Sequence, residues 1–339
     1  MKKFWFNLFF FLLGGGLLWL AFKDQGFTLI VQELQKVDYR WGLLVLLGSF
    51  SGNLSRAMRW KLLLIPLNTN KGTNQNTSKS ISFWNVWWAM MFGYLVSLGV
   101  PRLGEISRCV LVQRSEKLHF ESVLGTVVVE RAIDMGCLIL LVMLTFFFQY
   151  DIAATFFQDN IFTPFQQLIW AKQWILYSLI VLGTIGFVIL WLLWRKRWFG
   201  RLRKFIIGVV TGLSSIYYMR HKWRFWGYTL LIWSSYFLTT YGWFFAVPAT
   251  QHLGIQAGFF LLVVGTIGKS VPIQGGGMGA YHFLVTKGLG LAPFLIAATP
   301  ALTLATVIHL TQTIFYLVVG GVAAGVIFYR NRLKTNPAK

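Results

Sequence analysis

Apolar runs follow one another along almost the whole chain, with polar residues confined to short stretches between them. The runs cover residues 4–22, 41–65, 83–100, 122–148, 174–194, 225–247, 257–291 and 300–328. A bilayer helix needs about 20 predominantly apolar residues, so most of these runs are long enough to span. Residues 4–22 exceed the core of a signal peptide and lack a small-residue cleavage pattern, which predicts an uncleaved first span.

The polar stretches give the runs a direction. Residues 23–40 balance three bases against three acids, which suits an outer loop. Arg56, Arg59 and Lys61 stand at one end of the second run, and Lys71 and Lys79 follow without an acid, so residues 68–80 are cytoplasmic by the positive-inside rule. Residues 151–172 and 248–255 carry little net charge and belong outside. Residues 195–224 hold nine Lys and Arg and no acid, the strongest cytoplasmic mark in the chain. Within them Leu202, Phe205, Ile206, Val209, Leu213, Ile216 and Tyr217 share one helical face, which predicts an interfacial helix on anionic headgroups. The basic tail 329–339 is cytoplasmic.

Parity then constrains the fold. Both ends of residues 83–121 belong in the cytoplasm, and both ends of 257–291 belong outside. The prediction is an all-α polytopic membrane protein with about six full spans and two re-entrant helical hairpins in an inverted repeat. One transmembrane domain, 1–339, would consist of halves 1–150 and 174–328. Broken helices meeting at midplane are a recurrent transporter plan. Eight to ten plain spans are the alternative; the eight-span version puts residues 195–224 on the wrong side.

Composition agrees with this reading. The chain is 56% hydrophobic and 12% charged with mean hydropathy +0.61, which leaves no room for a sizeable soluble domain in 339 residues. Its net charge of +21 would suggest nucleic acid in a soluble protein. Here the bases cluster at span ends, and topology and anionic lipid explain them better, so nucleic acid is not expected as a partner. Most of the 16 tryptophans mark span ends as interface anchors do. Cys109 and Cys137 read as packing residues. His119, His221, His252 and His309 show no metal-ligand spacing, so neither metal nor cofactor is expected.

Against this background residues 93–134 stand out. They carry Glu105, Glu130 and Asp134 beside Arg102, Arg108 and Arg131 in apolar surroundings. Each charge costs about 2.5–3.5 kcal/mol on insertion scales, so its presence calls for a reason. Glu105 and Arg108 are three apart, as are Arg131 and Asp134, while Glu130 and Asp134 share a helix face. An Arg131–Asp134 brace and a working proton or substrate site are both consistent with that spacing. Gly99, Pro101 and Gly104 break the helix just before Glu105, and Arg102 and Arg108 beside the break suit a lipid phosphate. Alternatively, that break is a short cytoplasmic loop with ordinary topology arginines. Arg56 and Arg59 read as marks of a span end, with a place on the cytoplasmic mouth as the alternative.

A second break spans residues 268–282. Its Gly-Lys-Ser ends like a P-loop, but Val263 stands where that motif needs glycine, which excludes nucleotide binding. Lys269, Gln274, Gly275, Gly276, Gly277 and His282 are the candidate residues here. The glycines either free amides for an anion or allow a tight crossing through Gly275 and Gly279. Gly321 and Gly325 form a GxxxG match in the last run.

Four segments carry a resemblance: SRAMRWKLLL at 55–64, PRLGEISR at 101–108, VVERAIDM at 128–135 and VPIQGGGMGAYH at 271–282. In this order they resemble the lysylphosphatidylglycerol synthase transmembrane-domain family, the flippase-like domain, over residues 4–328. The resemblance implies a multi-span lipid translocase. In the best-known members this domain moves an aminoacylated phospholipid between leaflets and is joined to a soluble aminoacyltransferase domain. After its last run this sequence has only a short tail, so synthase activity is not implied. One departure matters. The family's late motif has Pro-Gly-Gly-x-Gly and then, one residue on, Arg-Glu; here Gly275 stands for the proline and Tyr281 and His282 for Arg-Glu.

The expectation is therefore a lipid flippase and not an enzyme, with no catalytic residues. Arg102, Arg108, Lys269 and the Gly275–Gly277 amides would cradle an anionic phospholipid or lipid-linked headgroup. Glu105, Glu130 and Asp134 would hold the arginines, Arg131 included, or relay protons. A membrane transferase on a lipid-linked substrate and a scaffold for envelope-lipid synthesis are the alternatives. Membrane lipids are the expected partners, with a second copy or envelope-lipid synthesis enzymes as further ones. The resemblance implies the bacterial inner membrane, and the charge pattern puts both termini in the cytoplasm.

Overall fold

A computed structural model describes residues 27–69, 80–164, 166–167, 177, 181–188, 207, 210–211, 216–271 and 273–335. The expected span 4–22, more than half of the expected span 174–194 and most of the basic segment 195–224 lie outside the described residues. Among those described, every regular element is helical and none is a strand. The principal helices are α1 (Phe27–Gln35), α2 (Trp41–Thr69), α3 (Phe83–Gly99), α4 (Leu103–Glu116), α5 (Phe120–Phe148) and α6 (Tyr150–Phe157). They continue with α7 (Lys222–Tyr241), α8 (Ile255–Ser270), the single turn α9 (Gln274–Gly277), α10 (Ala280–Gly290) and α11 (Ala298–Thr335).

The apolar runs predict these elements closely, and the breaks fall where Pro and Gly put them. Two segments read as outer loops are helical instead: α1 lies within residues 23–40, and α6 with its π-helical extension Gln158–Phe162 lies within 151–172. The extension is explained by apolar anchoring, since α6 buries Ala153 and Phe156, and the Phe156 ring meets Phe260 edge-on at 5.5 Å.

Charged side chains are buried beside an apolar core, and apolar side chains cover the outside. Glu130 and Arg59 are fully buried, whereas Met143, Phe147 and Leu230 are each more than 60% exposed. An outward apolar surface of this kind is matched to hydrocarbon. Ala298–Arg330 is, among the described residues, the one helix both long and apolar enough to cross a membrane on length and hydropathy alone. Helices α2 and α5 reach 29 residues each but are interrupted by Arg56 and Arg59 and by Glu130, Arg131 and Asp134.

Two helical hairpins organise the interior. In the first, α3 packs along α4; in the second, α8 packs along α10. Between α3 and α4 the chain turns through Arg102, which has φ 64°. Gly93 and Gly104 bring the two arms into backbone contact, because a Cβ on Gly93 would lie 2.7 Å from the Gly104 carbonyl oxygen. At the open end Glu116 Oε1 accepts from Asn85 Nδ2 at 2.7 Å and from the Ser82 amide at 3.3 Å, clamping the start of α3 to the end of α4. Arg330 donates to Asn85 Oδ1 at 3.0 Å and ties α11 to the same clamp. In the second hairpin Gly277 has φ 85° and leaves no room for a side chain, since a Cβ there would sit 2.7 Å from Lys269 Cα. The turn α9 rests on α3, so the broken ends of the two hairpins adjoin.

Outside the hairpins, α2 and α7 form the most extensive pairing through small residues. A Cβ on Gly52 would lie 2.8 Å from Ser235 Cβ. The GxxxG match does not work this way: Gly321 and Gly325 face open space, and Gly320 makes the crossing with Leu95 and Met91.

Gly104→Ala introduces a methyl group against backbone that cannot swing aside. We expect a loss of about 1–3 kcal/mol, read as earlier thermal unfolding of the detergent-solubilised protein. Gly321→Ala, facing open space, should unfold at the wild-type temperature.

Candidate functional site

The charged residues resolve into two layers. The inner layer centres on Glu130, whose side chain is completely buried in α5. Arg56 Nη2 donates to Glu130 Oε1 and to Asp134 Oδ2, each at 3.0 Å. Arg59 Nη2 donates to Asp134 Oδ1 at 2.7 Å and lies 3.7 Å from Glu130 Oε1. From the first hairpin, Arg108 Nη2 lies 3.1 Å from Glu130 Oε2, angled away from hydrogen-bond geometry. The Arg108 guanidinium stands 4.6 Å from the centroid of the Trp60 ring, a cation–π contact in a dry environment. Trp60 is itself held by donating to Thr126 Oγ1 at 3.0 Å. Two carboxylates thus gather three arginines from α2 and α4 onto α5.

The geometry corrects two local readings. Arg131 does not brace Asp134; it pairs with Glu105 at 2.7 Å across α5 and α4. Glu105 and Arg108 share a helix but face different partners. Arg56 and Arg59 are not span-end marks, being 8% and 0% exposed and bound to carboxylates more than 70 residues away.

The outer layer lines a cavity of about 600 Å³ between the hairpins. Arg102, Glu105 and Arg131 line it from the first side, Lys269, Gly276 and Gly277 from the second, and Arg56 and Asp134 from the inner layer. Lys269 Nζ donates to Gln312 Oε1 at 2.7 Å and lies 4.4 Å from the Tyr281 ring centroid. Arg102 holds a left-handed backbone that costs a non-glycine residue about 1–2 kcal/mol and turns the chain at the cavity wall. In all, four cationic and two acidic side chains face the space.

Among the sequence candidates, then, Arg102, Glu105, Arg131, Asp134, Lys269, Gly276 and Gly277 come together on the cavity wall. Arg108 and Glu130 stand behind it. Gln274 and Gly275 belong to the turn α9. His282 is buried away from the wall, with its ring 5.2 Å from that of His309, which does line the cavity. Sequence reasoning missed Tyr94, Tyr236, Gln312 and Tyr316 on the same wall. Tyr236 accepts a 2.5 Å hydrogen bond from Arg56 Nη1, and Tyr94 packs its ring 4.7 Å from that of Tyr316. Neutral polar residues in apolar helices leave no charge signal to find. Among the described residues no group of acids, His and Cys is arranged to hold a metal ion.

An all-helical body with apolar outer faces and an internal cavity walled by ion pairs is the architecture of a membrane protein. The chain belongs to the family described as the lysylphosphatidylglycerol synthase TM region, whose model matches residues 7–320. That family places it among membrane proteins of lipid metabolism or transport, in contact with membrane lipids. No curated protein and no solved structure matches the chain.

Removing the Glu130 charge should strand buried arginines. Glu130→Gln is expected to cost about 3–5 kcal/mol, seen as a large drop in melting temperature in detergent. Glu105→Gln breaks a pair that is one-third to one-half exposed and should cost no more than about 1 kcal/mol.

Proposed function

We propose that the protein is a lipid flippase, moving an anionic or modified phospholipid or a lipid-linked headgroup between leaflets without altering it chemically. The observation that carries this reading is the cavity between the hairpins. It is walled by Arg102, Lys269 and the Arg131–Glu105 pair, and its net positive charge suits a phosphate. A headgroup would enter the cavity while its acyl chains stay against the apolar outer faces.

On this reading the two hairpins are re-entrant, one from each side, beside about six full spans in an inverted repeat. Helix length supports it. The four arms have 17, 14, 16 and 11 residues. At a rise of about 1.5 Å per residue they reach roughly 17–26 Å, short of the ~30 Å hydrocarbon core. Both chain ends are cytoplasmic, and the membrane is the bacterial inner membrane.

Two measurements test the proposal. In proteoliposomes, headgroup-labelled lipid should become accessible to an impermeant quencher in a protein-dependent way, and Arg102→Ala should slow this at least about tenfold. Movement that ignores Arg102, or no movement of any lipid class tried, contradicts the assignment. For topology, single cysteines replacing Ser82 and His119 should react with an impermeant thiol reagent from one side, and those replacing Gly254 and Leu291 from the other. Labelling of the Ser82 and His119 variants from opposite sides would mean that the first hairpin crosses the membrane only once and would overturn the paired-arm topology.

A further inference from the structure

The charges on the cavity wall divide into those already neutralised and those left over. Both acids are engaged: Glu105 by Arg131 at 2.7 Å, and Asp134 by Arg59 at 2.7 Å and Arg56 at 3.0 Å. Arg131 and Arg56 are spent in the same pairs. Two cations remain. Lys269 meets a neutral amide oxygen and an aromatic face, and no carboxylate lies within ion-pair distance of it among the described residues. Arg102, at the turn of the first hairpin, likewise makes no ion pair there. The wall immediately behind adds Arg59 and Arg108 against Glu130, so six cationic side chains surround three acidic ones.

We infer that the cavity selects a phosphate-bearing anion without an amino group, and discriminates against zwitterionic and aminoacylated headgroups. This rests on the flippase reading for its location but names the ligand's charge class on separate grounds. Lys269 on one hairpin and Arg102 on the other each offer charge-assisted hydrogen bonds to a phosphate in the cavity, which would supply the counter-charge that the wall lacks. An ammonium group finds no carboxylate free of an arginine and is repelled by the two unpaired cations.

The test separates binding from transport. The delipidated protein in detergent is titrated with phosphatidylglycerol, phosphatidic acid, phosphatidylethanolamine and lysylphosphatidylglycerol, and bound lipid is counted by native mass spectrometry. Phosphatidylglycerol and phosphatidic acid should bind at least about tenfold more tightly than the other two, a difference of about 1.4 kcal/mol. Lys269→Gln and Arg102→Gln should each erase most of that preference while the protein stays monodisperse with its helical content intact. Lys287→Gln, off the cavity wall, should keep it. Inorganic phosphate and glycerol phosphate are added as competitors at millimolar concentration. Failure to displace the lipids assigns the anion to a lipid headgroup; displacement assigns it to a free phosphate compound, and either result keeps the charge class. Equal or tighter binding of phosphatidylethanolamine or lysylphosphatidylglycerol overturns the inference even if lipid movement is observed. Selective binding without movement in proteoliposomes leaves it standing and removes the transport reading instead.

Discussion

Glu130 is the residue on which the interior depends. A carboxylate with no exposed surface is untenable alone, because the desolvation penalty amounts to several kcal/mol per ion even after relaxation. Three arginines meet that penalty from two other helices, and each is itself buried. Loss of Glu130 would leave Arg108 without its carboxylate partner and Arg56 and Arg59 to share Asp134. The arrangement also has a direction. Arg56 and Arg59 fasten α2 to α5, while Arg108 fastens the second arm of the first hairpin to the same carboxylate. The hairpin therefore keeps its place through a charge network at the back of its own cavity, not through apolar packing alone.

That anchoring explains how the front of the cavity can be left unbalanced. Lys269 and Arg102 make no ion pair among the described residues, and Arg102 stands in a left-handed backbone that most side chains avoid. Such features persist when the surroundings over-determine them. Here the Glu116–Asn85–Arg330 clamp closes the far end of the hairpin, and the Gly93–Gly104 contact locks its arms. On the proposed reading, walls held in this way would be preorganised for an anionic ligand, which would then bear less of the cost of assembling the site.

Much of this was legible in the chain because charge in an apolar run is conspicuous. Glu105, Glu130, Asp134, Arg102 and Lys269 announce themselves, and Pro101 and the glycines around it mark the break. The motifs at 101–108, 128–135 and 271–282 identify the family unaided. Partners were harder. Spacing of three or four suggests neighbours on one helix, yet Glu130 and Asp134 take theirs from Arg56 and Arg59, 74 to 78 residues away. Those arginines looked like topology marks because basic residues at span ends usually are. The tyrosines and Gln312 on the wall gave no signal, since a neutral polar group in a membrane helix has the same appearance whether it lines a cavity or bonds its own backbone away from it, as Thr306 does.

The central claim is that a lipid headgroup occupies the space between the two hairpins. Its most direct test is photocrosslinking from Ser97, which lines the cavity, with outward-facing Ile139 as the reference position. A photoreactive residue at 97 should capture lipid through its labelled headgroup, and one at 139 should capture acyl chains. Headgroup capture at 97 that disappears with Lys269→Gln is the result the proposed function predicts. Capture of acyl chains alone at both positions, or none at 97, would contradict it.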